Sequence, residues 1–139
     1  MSTPVFISYN FVSDREYAHN IGVFFQPRGP CQGTPRFVKD VSAGGDRAID
    51  DEIRRAMDGC VAAVFVCGQN SHNSPWINRE AQLAISLGLG IVALRAPGAL
   101  GGIPAELEAV NPPLVPWDSD AFCAALNRVI AQAVAARTG

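Results

Sequence analysis

Seven consecutive apolar residues, Val61-Ala62-Ala63-Val64-Phe65-Val66-Cys67, limit the possible folds of this chain more than any other stretch. The run is rich in β-branched side chains, has no polar alternation and is closed by Gly68, which is how a strand covered on both faces of a parallel sheet reads. A polar loop follows, and then Ser74-Pro75, an N-cap and a first helical position, because proline lacks only an N–H that would be unpaired there anyway. The unit is strand, loop, helix. In open α/β sheets ligands collect outside the carboxyl ends of the strands, where such loops and the first helical turns converge.

The helix that starts at Pro75 holds one residue at odds with its periodicity. Trp76, Leu83, Ala84 and Leu87 gather on one side, widened by Ile77, Ala81 and Ile85, whereas Asn78, Arg79, Gln82 and Ser86 take the other. Glu80 falls in the middle of the apolar side. A carboxylate there is costly to desolvate unless a helix terminus, a partner or a cleft supports it. Two readings follow: a glutamate in the first turns that leans out past the core, or an active-site carboxylate on a cleft floor near the sheet rim.

Composition narrows the field. A chain of 139 residues suits one core, so residues 1–139 are read as a single domain. With 48% hydrophobic and 17% charged residues and a net charge of -2, the chain is globular and has no electrostatic pull toward nucleic acid or an acidic membrane. The N-terminus enters Pro4-Val5-Phe6-Ile7 with no basic region or long apolar segment, so neither a secretory leader nor a membrane span is expected, and the location expected by default is cytoplasmic. Cys31, Cys60, Cys67 and Cys123 have no C-x-x-C spacing and no histidine at a zinc-like distance, so they are read as structural thiols and no metal is expected.

In chain order, Val5-Phe6-Ile7 reads as a first strand ending in Ser8-Tyr9-Asn10, and residues 14–25 as a helix with Tyr17, Ile21, Phe24 and Phe25 inward. The Pro27-Arg28-Gly29-Pro30 stretch breaks it, and Arg36-Phe37-Val38 forms a short edge strand. Asp40 to Arg47, with Gly44-Gly45 inside it, reads as a flexible loop before a helix marked by Ile49, Ile53, Ala56 and Met57. Gly88 and Gly90 flank a turn into a strand at Ile91-Val92-Ala93-Leu94. Beyond a Gly/Pro-rich stretch containing a short turn at Ala105-Glu106-Leu107, Leu114-Val115 is a last short strand. Asp118 or Ser119 then caps a helix with Phe122, Leu126, Val129, Ile130, Ala133 and Val134 inward and Arg137-Thr138-Gly139 fraying. Strands alternating with helices imply an α/β domain, flavodoxin-like, with about five parallel strands in the order 2-1-3-4-5 and helices on both faces. The switch point then lies between the first and third strands, and Glu80 faces the crevice there.

Other occupants of such a fold fit poorly. A phosphoacceptor receiver needs clustered acids after the first strand and an aspartate ending the third, where this chain has Ser8-Tyr9-Asn10 and Val66-Cys67-Gly68. Neither a flavodoxin's Ser/Thr-rich phosphate loop nor a G-x-x-x-x-G-K-[ST] loop is present. The residues themselves do carry a resemblance. Val5-Phe6-Ile7-Ser8-Tyr9-Asn10-Phe11 followed by Asp14, the Ile53-Arg54-Arg55-Ala56 helix, and Gly68 through Ser74-Pro75-Trp76-Ile77-Asn78-Arg79-Glu80 closely resemble bacterial TIR-like proteins, particularly the TIR subunit of Thoeris anti-phage systems. The resemblance runs from Pro4 to about Leu94, and Arg79 stands where relatives often carry an aromatic residue.

That resemblance implies cleavage of the nicotinamide–ribose bond of NAD, with NAD as substrate and no separate cofactor. It puts the catalytic glutamate on Glu80 and draws Ser8, Tyr9, Asn10, Phe11, Asp40, Arg47 and Trp76 into the substrate-binding set. It also implies a (cyclic) ADP-ribose product read by a downstream effector, and TIR–TIR assembly into a homo-oligomer. One carboxylate suffices in principle: nicotinamide departs as a neutral ring from a pyridinium, so the proton a glycosidase must supply to its leaving oxygen is not needed. The alternative is a non-enzymatic adaptor acting by homotypic association, because fold does not dictate function.

Overall fold

The computed structural model describes residues 3–10, 14–25, 29, 31–37, 45–69 and 74–138, with the side chains of Arg15, Ala18, Thr138 and residues 45–49 excepted. Five strands, β1 (Pro4–Ser8), β2 (Thr34–Phe37), β3 (Ala62–Cys67), β4 (Gly90–Arg95) and β5 (Leu114–Val115), form one sheet in the order β2-β1-β3-β4-β5. Every neighbouring pair is parallel. Helices α1 (Arg15–Asn20), α2 (Gly45–Met57), α3 (Pro75–Ser86) and α4 (Ser119–Thr138), with 3₁₀ segments at Ile21–Phe25 and Ala105–Val110, make the crossovers.

Strand alternation sorts the core into two layers. Val5 and Ile7 of β1, Val64 and Val66 of β3 and Val92 and Leu94 of β4 pack with Ile21, Phe24 and the inner stripe of α4. Phe6, Ala63, Phe65 and Ile91 pack with Ile53 and Met57 of α2 and with Ile77, Ala81 and Ala84 of α3. β3 is buried at every position, as its uninterrupted apolar run requires.

Several element limits differ from expectation for physical reasons. The helix expected over residues 14–25 is α-helical only to Asn20 and then tightens into 3₁₀ turns. There Phe24 packs on Trp117 and Phe122, each at 5.2 Å, and Phe25 meets Phe122 at 5.7 Å, so aromatic packing on α4 and the segment just before it accompanies the tighter turns of this segment. α2 begins at Gly45, placing residues 45–47 in the helix and not in the preceding loop. Arg and Ala are good helix formers, and at 47 and 48 they extend the helix backwards. The remainder of that loop, residues 40–44, lies outside the described residues, as do Gln26 to Arg28, Pro30 and Val38.

β2 starts two residues earlier than expected, and Gly90 is the first residue of β4, not part of the turn. Gly90 is there for packing: a Cβ would overlap the Val129 side chain of α4. Leu87 is the C-cap of α3 and 48% exposed, and Val134 is 43% exposed because the buried stripe of α4 ends at Ala133. Arg137 does not fray; it donates to the Cys60 carbonyl at 3.2 Å and ties the last turn of α4 to the start of β3.

Candidate functional site

Ser8 closes β1 and pairs in register with Phe65 of β3, so the sheet ladder fixes its backbone. It shares the face of Phe6, which looks toward α2 and α3. On the helix side, Ser74 caps α3 by accepting from the Ile77 N–H at 3.3 Å, and Pro75 follows as the first residue. This start sets the phase that turns Ile77, Glu80, Ala81 and Ala84 inward. Strand and helix meet in one polar contact, where Ser8 Oγ donates to Glu80 Oε1 at 2.9 Å.

Glu80 has no exposed surface and Ser8 is 1% exposed, so Glu80 is not the outward-leaning surface residue that one reading of its periodicity allowed. Burial drives the Glu80 carboxyl well above the usual carboxylate range, the Ser8 hydrogen bond and then the Trp76 indole acting the other way. Glu80 Oε2 is buried with no hydrogen-bond partner among the described residues, so the indole moderates the charge without satisfying that oxygen. Burial thus disfavours the charged form of this carboxyl, and a cation beside it favours that form. In a desolvated pocket its response to developing positive charge is then far larger than in water.

The other candidates divide by location. Trp76 is half-buried, one turn before Glu80 on α3, and packs against the same core layer. Tyr9 turns toward the β2 edge and meets Phe37 edge-on, with ring centroids 6.1 Å apart. Asn10 accepts the Asp14 N–H at 2.9 Å through its carbonyl, closing the turn into α1. Phe11 and Asp40 lie outside the described residues, as do Asn70 to Asn73 with His72; Arg47 is in the first turn of α2, its side chain outside the description. The structure therefore brings Ser8, Trp76 and Glu80 together, whereas Tyr9 packs against the opposite core layer, beside Phe37 of the β2 edge.

Two features of this rim escaped the sequence reading. Asp14 is 3% exposed and does not cap α1; its carboxyl lies where a side chain on Gly68 would stand, so the β1 and β3 loops interlock through an acid and a glycine. A glycine directly after a buried strand was the available clue. Arg95, ending β4, donates to the carbonyls of Ala99 at 3.1 Å and Gly101 at 3.2 Å, and Gln69 accepts the Leu100 N–H at 2.8 Å. Gly101 passes so close to the Gly68 and Gln69 carbonyls that a Cβ would stand 2.7 and 2.6 Å from them. The loop after β4 thus braces the loop that leads to α3.

A cavity of about 220 Å³ opens on this rim between Asp14, Tyr17, Gly68 and Pro97. A wider cleft of about 450 Å³, between Gly90, Pro113 and Val129, lies at the opposite end of the strands, away from Glu80. Among the described residues no group of three His, Cys, Asp or Glu side chains is arranged to hold a metal ion. All four cysteines are free and buried, with the Cys67 thiol pushed up to about 12 mainly by desolvation.

With this geometry in place, comparison with known families is decisive. Residues 6–100 match the family model of the Thoeris protein ThsB, TIR-like domain. The chain belongs to that family. It is thus a TIR-like domain of anti-phage defence. Among solved structures, the TIR domain of the Toll-related receptor TRR-2 from Hydra magnipapillata is similar with a TM-score of 0.58 and 18% identity, covering 93% of this chain and 96% of that one. That likeness speaks to the TIR fold. A 3-dehydroquinate dehydratase-like protein from Bifidobacterium longum gives a TM-score of 0.46 at 14% identity over 95% of this chain and 98% of that one. No curated protein matches the chain.

Proposed function

We propose that this TIR-like domain cleaves the nicotinamide–ribose bond of NAD and releases a (cyclic) ADP-ribose signal for a separate effector in phage defence. The observation that carries the reading is Glu80, a wholly buried carboxyl at the β1/β3 switch point, held by Ser8 from the strand end and desolvated enough to answer a cation. The C–N bond breaks with its electron pair leaving on nicotinamide, which becomes neutral, while the ribose carbon acquires oxocarbenium character. Glu80, its proton released to solvent as the positively charged nicotinamide ring binds, stabilises that centre as a carboxylate and accepts from the ribose hydroxyls. An oxygen or nitrogen nucleophile, from water or from the other end of the dinucleotide, then bonds to the carbon and releases a proton. Trp76 and Tyr9 supply ring surfaces, and Asn10, Phe11, Asp40 and Arg47 complete the proposed substrate set.

Nicotinamide release from NAD by the purified protein, with and without extract of phage-infected cells, tests this reading. Glu80→Gln is expected to lower the rate roughly 100-fold or more with the fold intact. An unchanged rate removes Glu80 from the chemistry, and no release from wild type in any assembly state overturns the enzymatic reading. The burial of Glu80 also favours a second reading, a non-enzymatic adaptor in which the Ser8–Glu80 contact only shapes the fold. Defence that survives Glu80→Gln would establish it.

A further inference from the structure

The two oxygens of Glu80 are not equivalent. Oε1 accepts from Ser8 at 2.9 Å, and Oε2 has no hydrogen-bond partner among the described residues. Both ends of the Ser8–Glu80 contact are mounted on rigid elements. Ser8 sits in the parallel ladder opposite Phe65, and α3 is fixed by its Ser74 cap and by the Arg79–Asp50 ion pair to α2 at 3.3 Å. A serine hydroxyl has one proton to give, and this one is committed to Oε1.

We propose that Ser8 is a positioning residue that acts through Glu80: it holds Oε1 from the end of β1 and leaves Oε2 as the oxygen that meets the ribose. This rests on the NAD-cleavage reading above. Ser8 therefore does not touch substrate and contributes by fixing the angle of the carboxyl and favouring its charged form. Among the described residues the Trp76 indole also favours the charged form, less than Ser8 does, and no charged side chain joins them. The Cys67 thiol on β3 is held neutral, Arg95 on β4 is engaged with its own loop, Asp50 and Arg79 pair with each other, and Glu106 and Glu108 on the second 3₁₀ segment are exposed.

The test compares wild type, Ser8→Ala and Ser8→Thr in NAD cleavage across pH. It adds a carbon-13 NMR titration of glutamate-labelled protein without substrate, the Glu80 resonance being assigned with Glu80→Gln. In Ser8→Ala, kcat is expected to fall roughly 10- to 100-fold, the loss of one hydrogen bond to a charged group, with KM nearly unchanged. The acid limb of its kcat profile and the Glu80 titration both move to higher pH, and Ser8→Thr, which keeps the hydroxyl, restores both. A rise in KM with an unmoved acid limb would make Ser8 a substrate contact and overturn the proposal. So would a Glu80 titration identical in wild type and Ser8→Ala, with melting temperature checking that both are folded. Should wild type not cleave NAD at all, the functional reading falls, while the titration still decides whether Ser8 controls the Glu80 carboxyl.

Discussion

A carboxyl group with no exposed surface costs free energy whenever it is charged, and that cost gives Glu80 a signature in stability as well as in catalysis. Its folded-state value is raised above the ordinary 4.5, so its stabilising contribution is complete below that pH and is lost as pH rises through the native value. Glutamine, neutral throughout, escapes the loss. Glu80→Gln is therefore expected to melt at a higher temperature than wild type, by a margin that widens from pH 4.5 upward, as thermal melts at pH 4, 6 and 8 would register. A margin constant in pH would mean that folding leaves the Glu80 titration where it is in the unfolded chain. The position of Glu80 was legible in the sequence because a helical period of 3.6 exposes any polar residue on the apolar side. The neighbourhood of Ser8 was legible too, since the order 2-1-3-4-5 sets the end of β1 at the crevice that Glu80 faces, but the hydrogen bond itself was not, because Ser8 lies 72 residues away and only the packing of α3 on the sheet fixes that distance. Asp14 was hidden for a related reason, since an aspartate before a helix ordinarily caps it in water.

Among the elements, α3 has the strongest claim on function, because its first turn determines where Trp76 and Glu80 point. Ser74→Ala removes the cap and is expected to cost about 1 kcal/mol, measured by urea denaturation, with a larger proportional loss of NAD cleavage as the first turn frays. Equal effects on both would separate the cap from the site. At the other end of the sheet, Gly90→Ala forces a methyl into Val129 and is expected to destabilise by about 1–3 kcal/mol while the activity of the folded fraction holds. Strand identities and order could be read from short apolar runs alternating with helical patterns, whose connections leave few arrangements. The limits of α1 and α2 could not: the switch to 3₁₀ at Ile21 accompanies packing on Trp117 and Phe122, which belong to the far end of the chain.

At the scale of the whole molecule, Glu80 has no exposed surface, so the proposed reaction requires the rim above it to open. A rim shared between protomers would stabilise the open form and enclose more of the dinucleotide than one sheet edge can. Nicotinamide release per protomer is therefore expected to rise with concentration alongside light scattering, and a high constant rate in a demonstrably monomeric sample would contradict this. Among the described residues no helix is long and apolar enough to cross a membrane. The edges of the sheet bear on how protomers can meet. β2 carries Pro35, and β5 is two residues long between Pro112-Pro113 and Pro116, so both outer strands are short and poor in N–H groups to offer another chain. Self-association that begins with strands adding to strands runs on without limit and ends in fibrils. Edges that refuse that route leave contact between copies to helices and loops, whose geometry can close.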